Sequence, residues 1–175
     1  MKSKPTNSKT CLSQSDQKLL SKYPKFSDGR VDYTNKRICY CLNCTAICDD
    51  EVLLTLRSED VMAYPNTING ISGFIDQPSL SINETARIEL DEELCAPKDA
   101  KITVGKMLIQ VDEELNREWR VFPVLVEFDK KFIPKTNWEN KTAKWYKIND
   151  VKNLKLMPGF LATFSVALRL QKDAK

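Results

Sequence analysis

Histidine is absent from this 175-residue chain. Its absence removes the Ser-His-Asp and Cys-His nucleophile systems, the HExxH metalloprotease motif, Cys₂His₂ zinc fingers and histidine-ligated haem. Glycine is scarce, at five residues, and neither a GxxxxGK[ST] phosphate loop nor a GxGxxG dinucleotide fingerprint occurs. No apolar run reaches the roughly 18 residues that a bilayer span requires. The longest, Met157 to Leu168, is interrupted by Pro158, Gly159, Thr163 and Ser165. The first residues, MKSKPTNSKTCLSQSDQK, carry lysines with no apolar stretch after them, which does not read as a secretory signal. These absences predict a soluble, cytoplasmic protein with no membrane contact. The chemistry left to it is that of carboxylates, Lys and Arg, hydroxyls and thiols.

What is present is ordinary globular composition, 42% hydrophobic and 29% charged, at a length that suits one domain. Residues 1–34 are polar and rich in Lys and Ser, and predict an N-terminal extension with a short helix over Leu12–Tyr23. Residues 35–172 predict the domain proper. The 27 Lys and Arg nearly balance the 24 Asp and Glu, but the charge is unevenly placed. Glu84, Glu89, Asp91, Glu92 and Glu93 crowd one short segment around a single base, Arg87. From Lys130 onward, eleven bases face three acids. An acidic cluster set against a basic half suits a cation-dependent site for an anionic substrate; a solvated lysine-rich surface is the plainer alternative.

Four of the six cysteines, Cys39, Cys41, Cys44 and Cys48, fall within ten residues. Such spacing can hold zinc or an iron–sulfur cluster. The stretch RICYCLNCTAIC is also rich in strand formers and runs into DDEVLLTLR, so it predicts a hairpin turning at Asp49-Asp50. A strand would set Cys39 and Cys41 on one face and Cys44 and Cys48 on the other, which argues against one tetrahedral site. Buried thiols packing as small apolar groups fit better.

The predicted elements are strands at Arg37–Ile47 and Glu51–Arg57, a loop at Ser58–Ile68, and a glycine-bearing segment at Asn69–Asp76. A helix follows over Ile82–Cys95, then strands at Lys101–Val111 and Trp119–Phe128. A loop spans Asp129–Thr142, and a short strand, Ala143–Ile148, leads to Asn149 as an N-cap. The last helix covers Gly159–Gln171. This order predicts an α+β layered fold.

The helix Ile82–Cys95 carries the chemical signal. Ser81 and Glu84 form a capping box. Advancing about 100° per residue, Glu93 falls at about 20°, between Ile82 at 0° and Ala86 at about 40°, on the apolar edge. Glu89 and Glu92 flank it. Like charges at i, i+3 and i+4 repel, more so when desolvated, and a hard divalent cation with oxygen ligands would offset the repulsion. A solvated acidic face is the alternative, which the angular position of Glu93 opposes.

The segment GFIDQPSLSINETARIELDEELC, Gly73 to Cys95, resembles the box of the Nudix hydrolase family, G-x5-E-x7-R-E-U-x-E-E-x-G-U with U aliphatic. Glu89-Leu90-Asp91-Glu92-Glu93 matches its E-U-x-E-E core, and Gly73 resembles its opening glycine. The resemblance implies a Nudix-type mixed β-sheet between helices, an α/β/α sandwich whose box is a loop–helix–loop. It implies that Glu89, Glu92 and Glu93 bind Mg²⁺ or Mn²⁺, and that Glu92 and Glu93 act in catalysis. NWENKTAKWYKINDV is similar to a segment of many members that supplies a late-loop glutamate, and Glu139 is its match. The implied reaction is hydrolysis of a pyrophosphate linkage in a nucleoside diphosphate joined to another group. The implied partner is a small nucleotide-type substrate, with nucleic acid expected only as a capped or nucleotide substrate, and a homodimer is implied as well.

Arg57, at the end of the second strand, predicts a phosphate contact, with Lys106 and Arg120 as further candidates. Gly73 joins it on the predicted substrate side. Trp138, in a polar loop beside Glu139, predicts a stacking contact with a base. The chain departs from the box in four ways. The spacing from Gly73 to Glu89 is one residue longer, the first box glutamate has no match, Ile88 replaces the arginine, and Cys95 replaces the closing glycine. Changed support around metal ligands typically costs about 10–100-fold in affinity or rate. A catalytically weak or inactive nucleotide-binding or regulatory module is therefore the second reading, and a small metal–thiolate protein the third.

Overall fold

The structure, a computed structural model, describes residues 10–173. In chain order it contains α1 (Gln14–Leu20), β1 (Ile38–Cys48), β2 (Glu51–Arg57), β3 (Ile68–Asn69), β4 (Ile71–Phe74) and α2 (Ile82–Leu94). Then come β5 (Lys101–Val104), β6 (Leu108–Asp112), β7 (Arg117–Glu127), β8 (Asn140–Lys147), a 3₁₀ turn (Ile148–Asn153) and α3 (Phe160–Asp173). No helix among the described residues is long and apolar enough to cross a membrane.

β1 is the axis. Its run of Cys, Tyr, Leu, Ala and Ile is buried on both faces over most of its length, as suits a central strand covered from two sides. β7 lies parallel to it in register from Ile38 opposite Glu118 to Ile47 opposite Glu127. The other pairings are antiparallel, so the eight-stranded sheet is mixed. Its main path runs β3-β2-β1-β7-β5, with β4 on β1, β6 on β7 and β8 on β2. On one face α2 packs Ile82, Ala86, Leu90 and Leu94 into the core containing Tyr40 and Leu42. On the other, α3 packs Phe160, Phe164 and Ala167 against Ile47, Val52 and Leu125. The architecture is the expected α+β sandwich, helix over sheet over helix.

The hairpin turns at Asp49-Asp50, with Asp49 in the left-handed region at φ 55°. Its two strands stay paired only from Ala46–Leu53 to Cys48–Glu51 and then part. Residues 68–74 fill the wedge. β3 bonds to β2 at Thr55 and Leu56, and β4 bonds to β1 from Cys41 to Cys44. Gly70 sits at the change of partner, where a Cβ would collide with the Cys44 carbonyl oxygen. The splay opens one end of the sheet.

Three expectations are corrected. The single strand over Lys101–Val111 is two strands on one partner. β5 pairs Val104 with Val124, whereas β6 pairs Leu108 with Val121, a shift of register across residues 105–107. Pro123 lies opposite the break and has no N–H for a ladder, which is where a bulge is tolerated; its carbonyl instead accepts from Gly105 N at 2.8 Å. Asn149 is not a helix N-cap but lies within the 3₁₀ turn, and α3 starts eleven residues later, at Phe160. The last strand begins at Asn140 rather than Ala143 because its first residue bonds into the site described below.

The N-terminal helix is shorter than Leu12–Tyr23. Ser13 caps it by accepting from Asp16 N at 3.2 Å, and Leu20 is fully buried. Leu12, Val31 and Tyr33 join the same core. Asp16 accepts from Tyr40 Oη at 2.5 Å and from Arg120 Nη1 at 3.1 Å, which ties the helix to the sheet. Burial pushes the Asp16 carboxyl up, but the hydroxyls of Ser13 and Tyr40 and the Arg120 guanidinium outweigh it, so its pKa is lowered. A carboxyl with a depressed native pKa stabilises above its unfolded value and loses that contribution as pH falls through the native one. Thermal melts of the wild type and Asp16→Asn should therefore differ by a few degrees at pH 7 and converge as the pH falls below the ordinary carboxylate range.

Candidate active site

α2 is set by its ends. Ser81 Oγ accepts from Glu84 N at 3.2 Å, and the Glu84 carboxylate accepts from Ser81 N at 2.9 Å, closing the predicted capping box. At the other end Cys95 adopts φ 50°, ψ 44°, a left-handed cap that costs a non-glycine residue about 1–2 kcal/mol. The Cys95 and Ala96 amides donate to Asp91 O and Leu90 O and satisfy that end.

Between these caps the helix turns Glu93 inward, 4% exposed. Its Oε1 accepts from Ser72 N at 3.1 Å and its Oε2 from Asn140 Nδ2 at 2.6 Å. Burial pushes its pKa up to about 8, against the pull of the Asn140 amide. Glu89, one turn earlier, lies against β4 at Gly73, where any Cβ would overlap its carboxylate. Glu89 has no hydrogen-bond partner among the described residues, and burial followed by the charges of Glu93, Glu139 and Glu92 raises it to about 9. Glu139 is half-buried and raised by burial, with Arg57 opposing. Its carbonyl accepts from Ser58 N at 2.7 Å, which fixes the loop across the sheet end. Glu92 is exposed on the same side.

Glu89, Glu92 and Glu139 edge a cleft of about 510 Å³. Its lining includes Glu89, Glu92, Glu139 and Arg57 together with Tyr64, Phe74 and Trp119. The start of α3, from Met157 to Thr163, contributes a further wall. The Tyr64 hydroxyl donates to the Asp112 carboxylate and accepts from Trp119 Nε1 at 3.2 Å. Phe74 and Trp119 lie 6.2 Å apart at 38°.

The structure brings Glu89, Glu92, Glu93, Glu139, Arg57 and Gly73 together. Arg57 spends Nε and Nη2 on Ala63 O, at 3.1 and 3.0 Å, so it also holds the loop that carries Tyr64. Trp138 is 69% exposed and does not line the cleft. Lys106 is also outside it, and Arg120 is engaged with Asp16, Glu118 and Tyr40 under α1. Cys41 opens to the cleft, whereas Cys44 and Cys48 pack in the core beneath α2. The residues that sequence spacing missed are Asn140, Ser72, Tyr64, Asp112 and Arg30.

The donor set fits a hard divalent cation. It offers carboxylate oxygens alone, one of them without a hydrogen bond and seated where a glycine admits it. Among the described residues no three such side chains are drawn close enough together to hold an ion as they stand.

No family model and no curated protein matches the sequence. The fold does match solved structures. The NUDIX domain of Shewanella oneidensis NrtR, solved with ADP ribose, is 15% identical, with 94% of this chain and all 100% of that one covered at a TM-score of 0.64. The MutT protein of Methanosarcina mazei Go1 is 15% identical, covering 81% of this chain and 98% of its own at 0.63. A C. elegans Ap4A hydrolase is 18% identical, covering 75% and 98% at 0.57. The chain has the fold of the Nudix hydrolases.

A carboxyl whose native pKa is raised binds its proton more tightly when folded, so it stabilises at low pH and loses that contribution as pH rises toward the native value. In cation-free buffer the melting temperature should fall between about pH 6 and pH 9. Glu89→Gln should melt higher than wild type at pH 8 and flatten that profile.

Proposed function

We propose that the chain is a divalent-cation-dependent hydrolase that cleaves the pyrophosphate linkage of a nucleoside diphosphate joined to another group. The observation that carries this reading is one cleft lined by both carboxylates and aromatic rings, on a sheet whose splay admits both. Mg²⁺ or Mn²⁺ held by Glu89, Glu92 and Glu93 would neutralise phosphate charge and acidify the attacking water. A water oxygen forms a bond to one phosphorus, and the bond from that phosphorus to the bridging oxygen breaks. The departing phosphate takes the electron pair. Glu139, its pKa raised by burial, accepts the water's proton. Ser72 N and Asn140 Nδ2 fix Glu93, and Arg57 supplies positive charge beside Glu93 and Glu139. Phe74 and Trp119 give a nucleobase an apolar face. The proposal includes cytoplasmic residence and assembly as a homodimer.

A specific observation favours the second reading, a nucleotide-binding module with little or no turnover. Arg87, the neighbour of the absent box arginine, turns its guanidinium to Lys98 O at 2.7 Å and Ala100 O at 2.6 Å, so it braces the loop after α2 rather than the glutamates. Incubating the protein with Mg²⁺ or Mn²⁺ and a panel of nucleoside diphosphate derivatives separates the two. The hydrolase reading expects metal-dependent phosphomonoester products, reduced by about 100-fold or more in Glu92→Gln and Glu93→Gln. Nucleotide binding with no products from any substrate would give the second reading precedence.

A further inference from the structure

Residues 24–36, which lie largely in the predicted extension, pack against the cleft at Phe74. Val31 N donates to Asp76 O at 2.8 Å, and Lys25 and Val31 pair across an isolated antiparallel bridge. Tyr33, 5% exposed, donates to Ile75 O at 2.7 Å and stacks on Phe74 with ring centres 5.1 Å apart at 20°. Arg117 donates to the carbonyls of Tyr33, Thr34 and Lys36, which clamps the segment to β7. These contacts fix the residue between them at the cleft edge. Arg30 lines the cleft. Its Nε bonds Asp28 at 2.8 Å and its Nη1 lies 3.5 Å from Asp76, while Nη2 has no partner among the described residues. Glu92 of α2 is within Coulombic reach of it.

Only two cationic side chains line the cleft among the described residues, Arg30 and Arg57. Arg57 is largely buried and half spent on Ala63 O. Arg30 keeps about half of its side chain exposed (51%), with Nη2 free to donate to an oxyanion. We infer that Arg30 binds a phosphate of the nucleotide, so that the N-terminal segment is a wall of the substrate site rather than an appendage. The inference rests on the nucleotide reading above. It adds a second cationic side chain to the cleft, beside Asp76.

Calorimetric titration of ADP and of adenosine, each with Mg²⁺, into full-length wild type, Arg30→Ala and Arg30→Lys tests it. A charge-assisted contact of this kind predicts an ADP Kd about ten-fold weaker or more in Arg30→Ala, a smaller loss in Arg30→Lys, and an unchanged adenosine Kd. With a turned-over substrate, KM should rise while kcat stays within about two-fold. Melting temperatures should match the wild type, because the side chain is exposed. An ADP Kd equal in wild type and Arg30→Ala overturns the inference alone, as does equal weakening toward ADP and adenosine. A wild type that binds neither compound overturns this inference and the nucleotide reading together.

Discussion

Burial of the Glu93 carboxylate is the constraint on which the rest of the site depends. A carboxylate taken from water and left alone is costly, and the chain meets the cost with two directed donors. One is the backbone of Ser72 on β4, the other the side chain of Asn140 at the start of β8. Those donors belong to segments 21 and 47 residues away. The single contact set therefore holds α2, the wedge strand and the late loop in one place. Asn140 also explains why Glu139 faces the cleft, since the two are neighbours and the loop they end is pinned by Ser58 N.

The wedge between β1 and β2 supplies the room. Had the hairpin stayed zipped, no strand could have brought Ser72 and Gly73 beneath α2. Gly70 permits the change of partner, and Gly73 permits the approach of Glu89. Gly73 acts here as an absence of side chain: its contribution is the space its missing Cβ leaves for a carboxylate. That is a different role from the substrate contact expected of it, although it borders the same cleft.

Local pattern made part of this legible. The Ser81–Glu84 box, the apolar stripe of α2 and the inward angle of Glu93 are properties of a short segment, and all three are observed. The strand–helix order and the turn at Asp49-Asp50 were equally local. What stayed hidden depends on pairing across the chain. Arg30 and Glu92 line one cleft only because β4 and α2 fold back toward residues 24–36. Trp138 and Trp119 looked alike as sequence symbols, yet one projects outward and the other lines the cleft beside Tyr64. The break between β5 and β6 has its cause in Pro123 on another strand, which no reading of residues 101–111 alone could weigh.

Charge in the cleft bears on what can enter it. Two arginines face five carboxylates among its lining residues, with Glu93 just behind. A phosphate-bearing ligand would meet repulsion from that wall unless protons or cations stand between them. Protons are available to Glu89 and Glu93 near neutral pH, since both are held well above the ordinary carboxylate range. Neutral carboxyls would relieve the repulsion yet offer a phosphate no positive charge. A divalent cation would do both, and it would restore charge to the carboxyls that bind it. The same wall that repels a bare nucleotide would thus select one that arrives with its cation.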